Sequence, residues 1–67
     1  MKLSVNGNEI EHGGDSVTVK ELLTSMRYSF PLIVVRVNGI LVTRDAYGSV
    51  SVKNGDVVDA YHLVSGG

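Results

Sequence analysis

Lys2-Leu3-Ser4-Val5 alternates polar and apolar residues, and Glu9-Ile10-Glu11 does so again, with Asn6-Gly7-Asn8 between them. Alternation at a period of two is the mark of a half-buried strand, because successive side chains point to opposite faces. Asn and Gly tolerate positive φ, so the residues between the two stretches predict a hairpin turn. The period then changes. Val19, Leu22, Leu23 and Met26 stand at i, i+3, i+4 and i+7, which puts all four on one face of a helix predicted from about Val19 to Met26. Thr18 is placed to cap its backbone, and Glu21, three residues on, to complete a capping box. Val17 and Leu22 take the N′ and N4 positions of a hydrophobic staple. Pro31 disfavours the helical region for Phe30, so the helix stops before it.

The second half returns to strands. Ile33 to Val37 is β-branched apart from Arg36, Asn38-Gly39 is a strong short hairpin signal, and Ile40-Leu41-Val42 continues beyond it. Thr43 to Lys53 is expected to be irregular, with a single turn at Asp45-Ala46-Tyr47. Asn54-Gly55-Asp56 predicts another turn and Val57 to Leu63 the last strand. One helix and four or five strands are most simply arranged as a twisted mixed sheet with the helix on one face and the other face open to water. Alternation sets the phase. If Val35, Val37, Val58 and Ala60 face the helix, then Val34, Arg36, Asp59 and Tyr61 face outward, and the two charged residues favour that phase because burying either is costly. Val34, Tyr61 and Leu63 then form a mixed apolar patch on the open face, a kind of surface that often marks a partner site and that small domains also expose without one.

Composition narrows the picture further. Sixty-seven residues make one domain, expected to span 1–67 with a tail at 64–67, and 43% of them are hydrophobic. There is no cysteine, so the fold rests on its apolar core without disulfides or thiolate metal sites. Seven acids against six bases leave a net charge of -1, with no basic stripe for the phosphates of a nucleic acid. The longest apolar stretch, Leu32 to Val35, is far below the roughly 20 residues of a membrane span. Met1-Lys2-Leu3 leads straight into a strand pattern without a signal-peptide region, so a cytoplasmic location is expected.

The order of elements, together with Thr18-Val19-x-Glu21-Leu22-Leu23, Val37-Asn38-Gly39-x-x-Val42-x-Arg44, Asn54-Gly55-Asp56 and the closing Gly66-Gly67, resembles the β-grasp fold of ubiquitin-like proteins. At this length it resembles most closely the bacterial ThiS-type sulfur carriers of thiamine biosynthesis. Thr43 stands where that family often has proline. The resemblance implies that the terminal carboxylate of Gly67 is the working group, on a tail of Val64, Ser65 and Gly66. A ubiquitin-activating-type adenylyltransferase (ThiF-like) would adenylate it with ATP and Mg. Sulfur from a cysteine-desulfurase-derived persulfide would make it a thiocarboxylate, and a thiazole synthase (ThiG-like) would take that sulfur. No cofactor is implied for the chain itself, which is expected to act as a monomeric co-substrate, not as an enzyme. The family pattern also carries a basic residue after the second hairpin, which makes Arg44 a candidate partner contact beside Val34, Arg36, Tyr61 and Leu63.

The chemistry of the tail agrees with this role. A terminal carboxylate is ionised at neutral pH, resists nucleophilic attack and needs prior activation. The sequence has no Gly-x-x-x-x-Gly-Lys-Ser/Thr phosphate loop to supply that activation and no cysteine to carry sulfur. Glycines let the tail thread a narrow channel, and Val64 to Gly67 can extend roughly 13 Å. Other candidates have plainer readings. His12 and His62 lie on separate elements and read as structural or solvated, His62 on the inward phase as a partly buried ring, and not as a metal site. Asp45, Asp56 and Asp59 sit where turn or surface roles suffice. Two alternatives to the thiamine carrier stay open at this point: the small subunit of molybdopterin synthase, and a ubiquitin-like modifier or interaction module without tail sulfur chemistry.

Overall fold

The computed structural model describes residues 1–27 and 33–62. In chain order the elements are β1 (Lys2–Val5), β2 (Asn8–Glu11), β3 (Ser16–Thr18), α1 (Val19–Ser25), β4 (Ile33–Val37), β5 (Ile40–Val42), a 3-10 turn (Arg44–Ala46), β6 (Ser51–Lys53) and β7 (Val57–His62). The Asn-Gly pairs at 6–7 and 38–39 make tight hairpins. Asn6 and Gly7 have φ of 51° and 81°, and Asn38 and Gly39 have 52° and 81°, the positive values that a type I′ turn needs at both central positions. These turns join β1 to β2 and β4 to β5 as antiparallel pairs.

These four strands and β7 lie in one sheet in the order β2-β1-β7-β4-β5, with β1 and β7 parallel and every other pair antiparallel. This is the mixed sheet with one helix that the sequence led us to expect. Two features differ. Ser16–Thr18 and Ser51–Lys53 form a second, two-stranded sheet, with Val17 opposite Val52. The stretch expected to be irregular therefore contains a strand, and the residues before the helix form its partner.

Thr18 serves two elements at once, as the end of β3 and the N-cap of α1. Its Oγ1 accepts from the Glu21 backbone N–H at 3.1 Å, the expected cap. The return contact differs from a standard box, because Glu21 Oε1 accepts from the Thr18 hydroxyl at 2.9 Å. The helix is one residue shorter than expected. Met26 is the C-cap, and Arg27, at φ 61°, has left the helical region before Pro31 is reached. Pro31 and Phe30 themselves lie outside the described residues, as do Tyr28 and Leu32.

A single apolar cluster fills the space beneath the sheet. Leu3 and Val5 from β1, Val19, Leu22 and Leu23 from α1, Val35 and Val37 from β4, and Val58 and Ala60 from β7 are all buried in it, with Val17, Val42 and Val52 closing its sides. Among the described residues no polar or charged side chain is buried. Burial of each large aliphatic residue stabilises by about 1.5–3 kcal/mol, so this cluster fixes which face of every strand is left for other uses.

Candidate functional site

The face of the sheet away from that cluster is set by register. Val35 pairs with Ala60 and Val37 with Val58, all four buried, which forces the intervening pairs, Val34 with Tyr61 and Arg36 with Asp59, onto the opposite face. Arg36 is exposed, Val34 and Asp59 are half-buried, and Tyr61 is 54% exposed. The phase expected from the two charged residues is the phase observed.

Two residues of this face were not singled out from the sequence. Leu41 pairs with Arg36 across the β4–β5 hairpin and is 59% exposed, and Val57 shares the outward parity of Asp59 and Tyr61 and is 44% exposed. The signal for both was present. Once the Asn38-Gly39 turn is taken as a two-residue hairpin, Leu41 must fall opposite Arg36, and Val57 follows from counting back from Tyr61. The result is an apolar strip of Val57, Tyr61, Val34 and Leu41 interrupted by the Arg36 and Asp59 pair.

Strand directions bring Arg44 to the same end of the sheet as Tyr61. β7 ends at His62, whose Cα partner is Ile33, and β5 runs antiparallel to β4, so the chain leaves β5 at the Ile33 end. There Arg44 opens the 3-10 turn with its side chain exposed. Tyr47, closing that turn, donates from its hydroxyl to the Ile33 carbonyl at 3.2 Å and ties the segment to β4. Leu63, Val64, Ser65, Gly66 and Gly67 lie outside the described residues.

Of the remaining candidates, His12 and Asp56 have structural partners. His12 Nδ1 is 2.9 Å from the Gly13 carbonyl and donates to it in the tautomer protonated at that nitrogen. The His12 backbone meanwhile extends the first hairpin by bonding Met1. The ring of His62 lies outside the described atoms. Asp56 organises the turn before β7. Its Oδ2 accepts from the Lys53 N–H at 2.8 Å and its Oδ1 from Asn38 Nδ2 at 3.1 Å. Asp45 is exposed in the 3-10 turn. Among the described residues no three His, Cys, Asp or Glu side chains are grouped to hold a metal ion, and no helix is long and apolar enough to cross a membrane.

Comparison with known proteins points in one direction. The model of the ThiS family matches residues 3–67. The sulfur carrier protein ThiS of Bacillus subtilis (strain 168) is 28% identical over 65 residues, covering 97% of this chain and 98% of that protein. The crystal structure of the thiamine biosynthesis protein ThiS from Geobacter metallireducens superposes with a TM-score of 0.89 at 33% identity over the whole of both chains. A solution NMR structure of a thiamine biosynthesis protein from the same organism gives 0.81 at 33% identity, covering all of this chain and 88% of that one. These structures share the one-helix, mixed-sheet β-grasp architecture described above.

Proposed function

The chain belongs to the ThiS family, and on that premise we propose that it is a sulfur carrier of thiamine biosynthesis, with the carboxylate of Gly67 as the group that carries the sulfur. The observation that carries this reading is a family match running from Leu3 to Gly67, through the closing Gly66-Gly67. In this reading a ThiF-like adenylyltransferase uses ATP and Mg to join the Gly67 carboxylate to AMP, with release of pyrophosphate. A cysteine-desulfurase-derived persulfide then displaces AMP to form an acyl disulfide, and a second thiol, as the two-electron reductant, attacks the donor's cysteine sulfur, forming a disulfide with it and releasing the thiocarboxylate. A ThiG-like thiazole synthase transfers that sulfur to its substrate, and an oxygen from the substrate or from water takes its place to return the carboxylate. The chain supplies the acyl group and its presentation, and its partners supply activation and sulfur.

Val64, Ser65 and Gly66 are the segment that enters the partner, and their small side chains favour threading. Ordering the four residues 64–67 costs on the order of 4–8 kcal/mol of backbone entropy, so contacts on the body of the domain must offset it. At about 25 cal/mol per Å² of apolar area that requires roughly 160–320 Å². A tyrosine of Tyr61's exposure together with Val34, Leu41 and Val57 is of that order, and Arg36, Arg44 and Leu63 border the same surface in our proposal. Dock and tail are thus two halves of one site.

Adenylation tests the reading directly. Adding one residue after Gly67 moves the carboxylate out of the reacting position while leaving the body unchanged. ATP–pyrophosphate exchange with the ThiF-like partner is expected with the chain as given and is expected to vanish with the extended one. Equal exchange by the two would remove Gly67 from the mechanism.

A further inference from the structure

The last strand is fastened by two side chains from far earlier in the sequence. Backbone pairing between β1 and β7 covers only Ser4 with Val57 and Val5 with Val58. Beyond it the Asn6 N–H donates to the Val58 carbonyl at 2.9 Å, and β1 then turns away into its hairpin. The Asn6 carboxamide takes over the ladder. Its Oδ1 accepts from the Ala60 N–H at 2.7 Å and its Nδ2 donates to the Ala60 carbonyl at 2.9 Å, across 54 positions of sequence. A carboxamide offers the same donor and acceptor as a peptide unit, so one side chain replaces the backbone that β1 no longer provides. At the opposite end of β7, Asn38 is in a comparable position. Its Oδ1 accepts from the Val57 N–H at 2.9 Å.

Both asparagines sit in type I′ turns, yet they hold different ends of β7. Asn38 grips its beginning. Asn6 grips Ala60, whose neighbour Tyr61 lies on the outward patch and which stands seven residues before Gly67. Without the carboxamide, the N–H and C=O of Ala60 on the β1 side lose their protein partner, and the end of β7 is held from the β4 side alone, where Tyr61 pairs with Val34 and His62 with Ile33. We infer that Asn6 is a positioning residue for the sulfur-carrier reaction: by pairing with both backbone groups of Ala60 it holds the β1 side of β7 and so seats the neighbouring Tyr61 on the outward patch that the partner meets. This inference rests on the carrier reading. Its energetic logic is that a partner binding patch and tail together meets only the fraction of molecules with the end of β7 seated, and its apparent affinity falls with that fraction.

Asn6→Gly retains the left-handed turn and removes the carboxamide, and Asn38→Gly does the same at the other end of β7. Asn6→Asp keeps an acceptor for the Ala60 N–H and sets an oxygen against the Ala60 carbonyl, serving as a second test if the glycine variant folds poorly. Amide hydrogen exchange of the free protein is expected to accelerate at Ala60 roughly tenfold or more in Asn6→Gly relative to Val35, with Asn6→Asp intermediate. ATP–pyrophosphate exchange with the adenylating partner is expected to show KM for Asn6→Gly raised about tenfold with kcat little changed. Asn38→Gly, compared at a temperature where the two variants are equally folded, is expected to keep the original KM. The inference is overturned if the two glycine variants shift KM alike, or if Asn6→Gly leaves Ala60 exchange and KM unchanged. Absence of any exchange with the unaltered chain would overturn the carrier reading itself, and this inference with it.

Discussion

Tyr61 owes its exposure to strand parity. Its neighbour Ala60 is buried and its cross-strand partner Val34 only half so, which leaves the phenol ring on the outer surface with 54% of its area exposed. A carboxylate there meets water and not the core, so Tyr61→Glu is expected to change stability by less than about 1 kcal/mol. Binding to the adenylating partner should weaken severalfold, because the variant removes the largest apolar group of the strip. Thermal unfolding and a binding titration read the two effects separately, and severe unfolding would show that Tyr61 supports the core after all. At this scale the sequence was legible wherever a charge fixed the phase, as Arg36 and Asp59 did. It was silent on Asn6, whose Asn-Gly pair announces a turn but not a side chain that reaches Ala60, since a long-range hydrogen bond leaves no periodic trace.

Among the elements, those with a local cause were readable in advance. Both main hairpins follow from Asn-Gly, and α1 follows from the spacing of Val19, Leu22 and Leu23 and from its cap at Thr18. The small sheet was not readable. Ser16–Thr18 and Ser51–Lys53 are three residues each, with a single buried valine apiece, too short for alternation to show, and their pairing is decided by the core that Val17 and Val52 share. This tertiary origin gives Thr18 its double duty. Thr18→Ala removes the oxygen that accepts from the Glu21 N–H and the hydroxyl that donates to its carboxylate, and is expected to cost about 1 kcal/mol. Thr18→Ser, which keeps both, should recover most of that loss in chemical denaturation. Equal loss in the two variants would assign the effect to the β-branched packing of β3.

For the molecule as a whole, a domain of this size commands only about 3–10 kcal/mol of net stability, and its one apolar cluster is spent on holding α1 and the small sheet against one face of the five-stranded sheet. The other face and the end of β7 are what remain for partners, and strand direction gathers Val34, Tyr61 and Arg44 toward that end. Whole-chain likeness was legible because the order of elements, and not any single motif, carries it. The family match and the structural superpositions extend over nearly the full length for the same reason. The proposed function concentrates on a single atom exchange at Gly67, and the mass of the terminal peptide reads that exchange most directly. Isolated from cells actively forming thiazole, the peptide ending in Gly67 is expected to include a fraction heavier by the difference between a sulfur and an oxygen atom, located at its last carboxyl group. A terminal peptide found only at its unmodified mass in such cells, with thiazole formation continuing, would contradict the account.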